Sequence, residues 1–162
     1  MTEWRELRDY PGYTINEYGV VMNMKRDRPV HPRFNRQGYL MLGLFKDRVQ
    51  YTKSVAFLVA DTFIEPDPNP RYNSVIHLNG DRSDCRAINL MWRPRRFATT
   101  YHRMFDDEPY RIGVRVPEIN RSYSSLRDFC TTYGLIERWA YVEMINNEPC
   151  THYGWKLERI EN

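Results

Sequence analysis

Val75-Ile76-His77-Leu78-Asn79-Gly80-Asp81-Arg82-Ser83-Asp84-Cys85-Arg86-Ala87-Ile88-Asn89-Leu90 is the stretch whose reading decides the fold. Ser74 to His77 has the pattern of a short strand ending on a polar residue. Asn79-Gly80-Asp81 is a strong turn signal, because Asn and Asp side chains bond to the backbone just ahead of them and Gly accepts left-handed conformations. A helix is expected to begin between Asp84 and Ile88 and to carry Asn89-Leu90-Met91-Trp92. A strand, a turn and a helix in about twenty residues cannot bury a core of their own, so neighbouring segments must cover them.

Upstream, Pro66, Pro68 and Pro70 stop a helix that Ser54 caps and that places Val55, Leu58, Val59, Thr62 and Phe63 at helical spacing. Before it, residues 38–45 and 49–52 flank Lys46-Asp47-Arg48 and read as a hairpin with Asp47 in the turn. The chain starts with Trp4 and Leu7, a Pro11-Gly12 turn, and two short strands around Asn16 to Gly19. Downstream the composition shifts near Pro109. Tyr110 to Val116 alternates as a strand does. Ser124 is placed to cap a helix carrying Leu126, Phe129, Cys130 and Tyr133, with Gly134 at its end. A second helix follows with Leu135, Trp139, Val142 and Ile145 on its apolar face, and Trp155 and Leu157 close the chain as a strand. The helix pair reads either as a helix-turn-helix, whose second helix can enter a major groove, or as a plain αα-hairpin. No fixed-period repeat is evident.

Of the 162 residues, 41% are hydrophobic and 14% aromatic, with 12 Tyr spread along the chain. That pattern suits several small modules better than one large core or a disordered chain. Without an apolar run of about 20 residues or a signal-peptide pattern, the expectation is a soluble cytoplasmic protein. Cys85, Cys130 and Cys150 lack zinc-type spacing and read as reduced thiols. The net charge of +3 is uneven: residues 1–123 carry 20 basic against 15 acidic side chains, and residues 124–162 carry 4 against 6. Between Lys25 and Lys53 there are eight basic and two acidic residues, which makes a polyanion the leading partner, with a solvated basic face as the alternative.

The run Trp4 to Val20, with its Gly12-Tyr13 pair and Asn16-x-x-Gly19 turn, resembles the amino-terminal module of phage-type HNH homing endonucleases. Gly38 to Ile64 looks like that family's lead-in to its nuclease motif, with Ala56 where a histidine is common. Val75 to Leu90 is similar to its ββα-metal motif: a His, then Asn-Gly, then Asn-Leu with the Asn twelve residues after the His. Residues 112–155 look like its helix-turn-helix module. The resemblance implies an α+β chain of small β-hairpin modules, a ββα-metal motif and a carboxy-terminal helix-turn-helix-like module with flanking strands. It implies three domains, residues 1–36, 37–108 and 109–162. It also implies that His77 is the general base, that Asn89 holds the motif's loop, and that Mg2+ or Mn2+ serves as cofactor if the chain is active. Double-stranded DNA is the implied partner, with Lys25, Arg26, Arg28, Arg33, Arg36, Arg93, Arg95 and Arg96 on its phosphates. The implied setting is a bacterial host cell.

Two departures cut across this. The metal-binding position before the histidine is Ile76, and the position nine residues after Asn89 is Ala98; a hydrocarbon cannot ligate a hard cation. His102, one turn beyond Ala98, could substitute only in a shifted helix, and Asp81 and Asp84 read chiefly as turn and cap formers. Two functions stay open at this point: metal-dependent nicking or cleavage of double-stranded DNA at a specific site, or a catalytically inactive derivative that binds DNA or a protein partner.

Overall fold

Turn formers separate the amino-terminal aromatic residues, and in the structure, a computed structural model describing residues 1–146, 150–152 and 154–160, these segments become short antiparallel strands. β1 (Trp4–Glu6), β2 (Tyr13–Asn16), β3 (Val21–Asn23) and β4 (Arg28–Val30) form a meander in that order. β5 (Arg33–Phe34), β6 (Leu40–Lys46) and β7 (Val49–Ser54) form a second. α1 (Val55–Phe63) follows directly, then the hairpin of β8 (Ser74–His77) and β9 (Leu90–Arg93), then α2 (Arg95–Arg103). The later part holds β10 (Gly113–Val116), β11 (Arg121–Tyr123), α3 (Leu126–Tyr133), α4 (Glu137–Asn146), β12 (Cys150–His152) and β13 (Trp155–Ile160), its sheet ordered β11-β10-β13-β12. The α+β expectation holds. The chain divides into two compact units, residues 1–98 and 99–162. No helix among the described residues is long and apolar enough to cross a membrane.

One turn design is used twice in the first unit. The Asn16 side-chain oxygen accepts from Tyr18 N (3.1 Å) and Val20 N (2.9 Å), and that of Asn35 accepts from Gln37 N (3.0 Å) and Tyr39 N (2.9 Å). Gly19 and Gly38 close the two turns at φ +87° and +82°, where a Cβ is costly. The surroundings differ. A Cβ on Gly38 would meet nothing, whereas one on Gly19 would stand 3.0 Å from Val55 Cγ1 and 3.3 Å from Cys85 Cβ. Gly38→Ala should therefore cost about 1–2 kcal/mol from backbone strain alone. Gly19→Ala should cost roughly 1–3 kcal/mol more from overpacking. Urea denaturation of the two variants measures the difference, and equal losses would remove the close approach from the account.

That approach helps make the first unit one body. Ile15 and Val21 from the first sheet, Leu42 and Leu44 from the second, Val55, Leu58 and Val59 of α1, and Cys85 and Leu90 around the loop belong to one buried cluster. Residues from both sides of position 36 share it. The Tyr13 hydroxyl accepts from Phe45 N (3.1 Å), and Ala87 N donates to Glu17 O (2.9 Å), tying sheet to sheet and turn to loop. Ser54 caps α1 as expected, its Oγ accepting from Phe57 N. Asp47 and Arg48, at φ +51° and +67°, make the expected tight turn between β6 and β7.

The helix expected from Asp84 onward is not formed. A single 3₁₀ turn at Ala87–Asn89 leads into β9, whose Leu90 pairs with His77 and Trp92 with Val75. Leu78 N donates to Asn89 O at 2.8 Å, continuing the ladder past the strand ends. The buried positions Leu90 and Trp92 alternate with half-buried Met91 and Arg93, a period of two that the sequence already carries. The motif is therefore strand, loop, strand, helix.

In the second unit the cap of α3 is Ser125, whose Oγ accepts from Asp128 N (3.1 Å), while the expected cap Ser124 bonds the Asp128 carboxylate instead. Gly134 ends the helix at φ +65° as expected. The buried face of α4 also differs from expectation. Leu135 is buried, but Trp139 and Val142 are 41% and 43% exposed, and the residues packed inward are Ile136, Ala140 and Met144. The Ile145 side chain lies outside the described residues. Glu137 accounts for the rotation. Only 2% exposed, its carboxylate accepts from Arg127 Nε (3.0 Å), Arg127 Nη2 (2.8 Å) and Tyr110 N (2.9 Å), which turns the neighbouring residues into the core.

Candidate functional site

His77 ends β8 with 1% of its surface exposed. Its Nε2 lies 4.0 Å from Cys85 Sγ, and its ring centre is 5.9 Å from that of Tyr39. Burial drives the imidazole pKa down to about 4, against the opposing pull of Asp81 and Asp84. The ring is thus neutral at physiological pH, as a general base must be, but packed away from solvent. Burial likewise pushes the Cys85 thiol up to about 11, so it is an inert thiol. Cys85 and Cys130 are both free and buried, and Cys150's side chain lies outside the described residues.

Asn89 is hydrogen-bonded across the loop. Its oxygen accepts from Asn79 N (3.0 Å), and its amide nitrogen donates to Asn79 Oδ1 (3.0 Å) and to Asp84 O (2.9 Å). The two aspartates are consumed locally. Asp81 Oδ1 accepts from Ser83 N and Ser83 Oγ, and Asp84 takes both Arg86 Nε and Nη2 at 2.7 Å, which holds its carboxyl down at about 2. Arg86 is exposed, so this pair adds loop rigidity more than stability.

Whether a metal ion fits follows from the neighbouring positions. Ile76 is fully buried and Ala98 is 6% exposed, so both expected ligand positions present packed hydrocarbon. His102 is buried as well, at 6% exposure. Among the described residues no group of three His, Cys, Asp or Glu side chains could hold a metal ion. These residues do not fit a hard divalent cation in the manner of a ββα-metal site.

The basic residues expected on DNA separate into sets. Arg33 is exposed on β5 and Arg36 in the following turn; Arg95 and Arg96 are exposed in the first turn of α2. Arg93 is half-buried, donating from Nη1 to Trp92 O and lying 5.6 Å from the Phe97 ring centre. Lys25, Arg26 and Arg28 line a cleft of about 650 Å³, together with His31, Gly43 and the exposed Phe45. Phe45 and Arg82 are candidates the sequence reading missed. Arg82 lies 4.9 Å over the Tyr39 ring and donates to Gln37 O, bridging the motif's loop and the second turn. Their signals were available only in part, since an Arg in a turn and a Phe in a strand have no distinctive spacing.

This strand-loop-strand-helix, with a His at the end of its first strand and an Asn securing its loop, resembles the motif of HNH endonucleases, and proteins of that name are among those to which the chain is similar. Two uncharacterised HNH endonucleases of Acanthamoeba polyphaga mimivirus are 32% identical over 92 residues (57% of this chain, 23% of that protein) and 25% identical over 126 residues (75% and 38%). DNA endonuclease I-HmuI of Bacillus phage SP01 is 30% identical over 91 residues, covering 56% of this chain and 51% of that protein. The solved structure of the HNH homing endonuclease I-HmuI, described as showing DNA binding and cleavage, shares the fold at a TM-score of 0.54 and 22% identity, covering 99% of both chains. The chain spans about half or less of the length of the curated relatives it matches. No protein-family model matches the sequence.

Proposed function

We propose that this chain is an HNH-type DNA-binding protein whose nuclease centre no longer cuts, acting by occupying double-stranded DNA. One observation carries this reading: the two positions where the resembling nucleases place metal ligands hold Ile76 and Ala98, both buried in packing. Without ligands the leaving oxygen has no cation to stabilise it, and loss of even one such group costs orders of magnitude in turnover. His77 and Asn89 then serve as scaffold, the imidazole filling the space beside Cys85 and the amide holding the loop. The exposed Arg33, Arg36, Arg95 and Arg96 supply phosphate contacts.

The test is incubation of purified protein with supercoiled plasmid in magnesium, manganese or chelator, reading strand breaks and gel mobility together. The expected result is a mobility shift equal in all three buffers, with no conversion to nicked circles. Metal-dependent nicking that His77→Ala abolishes would instead establish the active endonuclease and overturn this reading.

A further inference from the structure

We infer that the cleft between the β3–β4 turn and β6 is a binding site for an unpaired nucleotide, taking phosphate on Lys25, Arg26 and Arg28 and stacking the base on Phe45. The inference rests on the nucleic-acid reading above, not on the state of the nuclease centre. The size suits a small ligand: about 650 Å³ is in the range of sites that enclose a small molecule. Charge selects an anion. Lys25, Arg26 and Arg28 have no carboxylate partner among the described residues, and Arg26 N donates to Asn23 Oδ1 (3.1 Å), which fixes the turn that presents them. Asp27, in the same turn at φ +48°, is its acidic member.

The aromatic wall selects a base. A single exposed apolar residue is ordinary, but Phe45 is 54% exposed beside three cations, and its backbone N is held by the Tyr13 hydroxyl at 3.1 Å. Gly43 lines the same cleft, and a Cβ there would collide with the Gln50 amide nitrogen, so the Gln50 side chain occupies the space that a side chain at position 43 would take. An aromatic platform along a basic groove is the arrangement that captures single strands, because every base has a stacking face.

The test uses fluorescence anisotropy of the full chain with labelled oligothymidylate and oligouridylate of about twelve residues, and with the corresponding duplex. Phe45→Ala should weaken single-strand binding about ten-fold while leaving duplex binding and the salt dependence unchanged. The double variant Arg26→Ala, Arg28→Ala should lower the slope of log affinity against log salt by about 1.4. Since Phe45 is exposed and its backbone makes the bond to Tyr13, the variant should fold, and circular dichroism checks this. Single-strand binding indifferent to Phe45, with duplex binding intact, overturns the cleft alone. Binding of neither form overturns the DNA reading as well.

Discussion

Replacing Glu137 with alanine should destabilise the second unit by about 3–5 kcal/mol. The carboxylate is 2% exposed and its partner Arg127 has a side chain 15% exposed, so removal strands a guanidinium in a poorly solvated place and leaves Tyr110 N without an acceptor. Breaking a buried pair on one side costs roughly 3–5 kcal/mol. A small domain holds about 0.05–0.15 kcal/mol per residue, so the loss is a large share of the stability of residues 99–162. Arg127 also donates to Met104 O (2.7 Å) and Asp107 O (3.1 Å), so the segment before β10 should loosen too. Amide exchange across α3 and α4 reads this directly. The double replacement Arg127→Met, Glu137→Leu should recover most of the loss, since paired removal leaves no buried charge. Retained protection in Glu137→Ala would show that the pair is dispensable.

Acid should weaken the protein in two separate windows. The unfolded chain's histidine takes a proton near pH 6.5, whereas folded His77 resists until about 4. Over that interval the unfolded state binds more protons, so stability falls as pH falls, by up to about 3 kcal/mol, and the loss is complete below pH 4. Asp84, held at about 2 by Arg86, acts lower down: its stabilisation is present above the usual carboxylate range and is lost as pH drops toward 2. Urea midpoints for wild type and His77→Gln across pH 4 to 7 give the His77 contribution as their difference, which removes any share from the other histidines. Parallel curves would mean that the imidazole is solvated in the folded state.

Much of the architecture was legible because local signals and tertiary packing agreed. Ser54 before an apolar periodic run, Asp47 in a tight turn, Gly134 after a helix and the strand ending at His77 each rest on chemistry confined to a few residues. Where the reading failed, a distant partner decided the matter. α4 rotates because Arg127, from the preceding helix, draws Glu137 inward, and no periodicity in α4 alone announces that. The stretch after Asp84 becomes a turn and a strand because Asn89 spends its amide on the loop and its carbonyl on Leu78. The repeated Asn-x-x-Gly turns at 16–19 and 35–38 share only an Asn and a Gly, too little to register as a repeat in the sequence. At the candidate site, the substitutions Ile76 and Ala98 were visible in the sequence, but their burial, and that of His77, required three-dimensional packing.

The seating of Gly19 against Cys85, with Glu17 O bonded to Ala87 N, bears on how such chains diversify. An amino-terminal sheet held this way is not a detachable attachment that recombination can exchange between relatives at will. A functional chimera would need residues 16–20 and 83–87 inherited from the same parent, so lineages exchanging only one of them should be selected against.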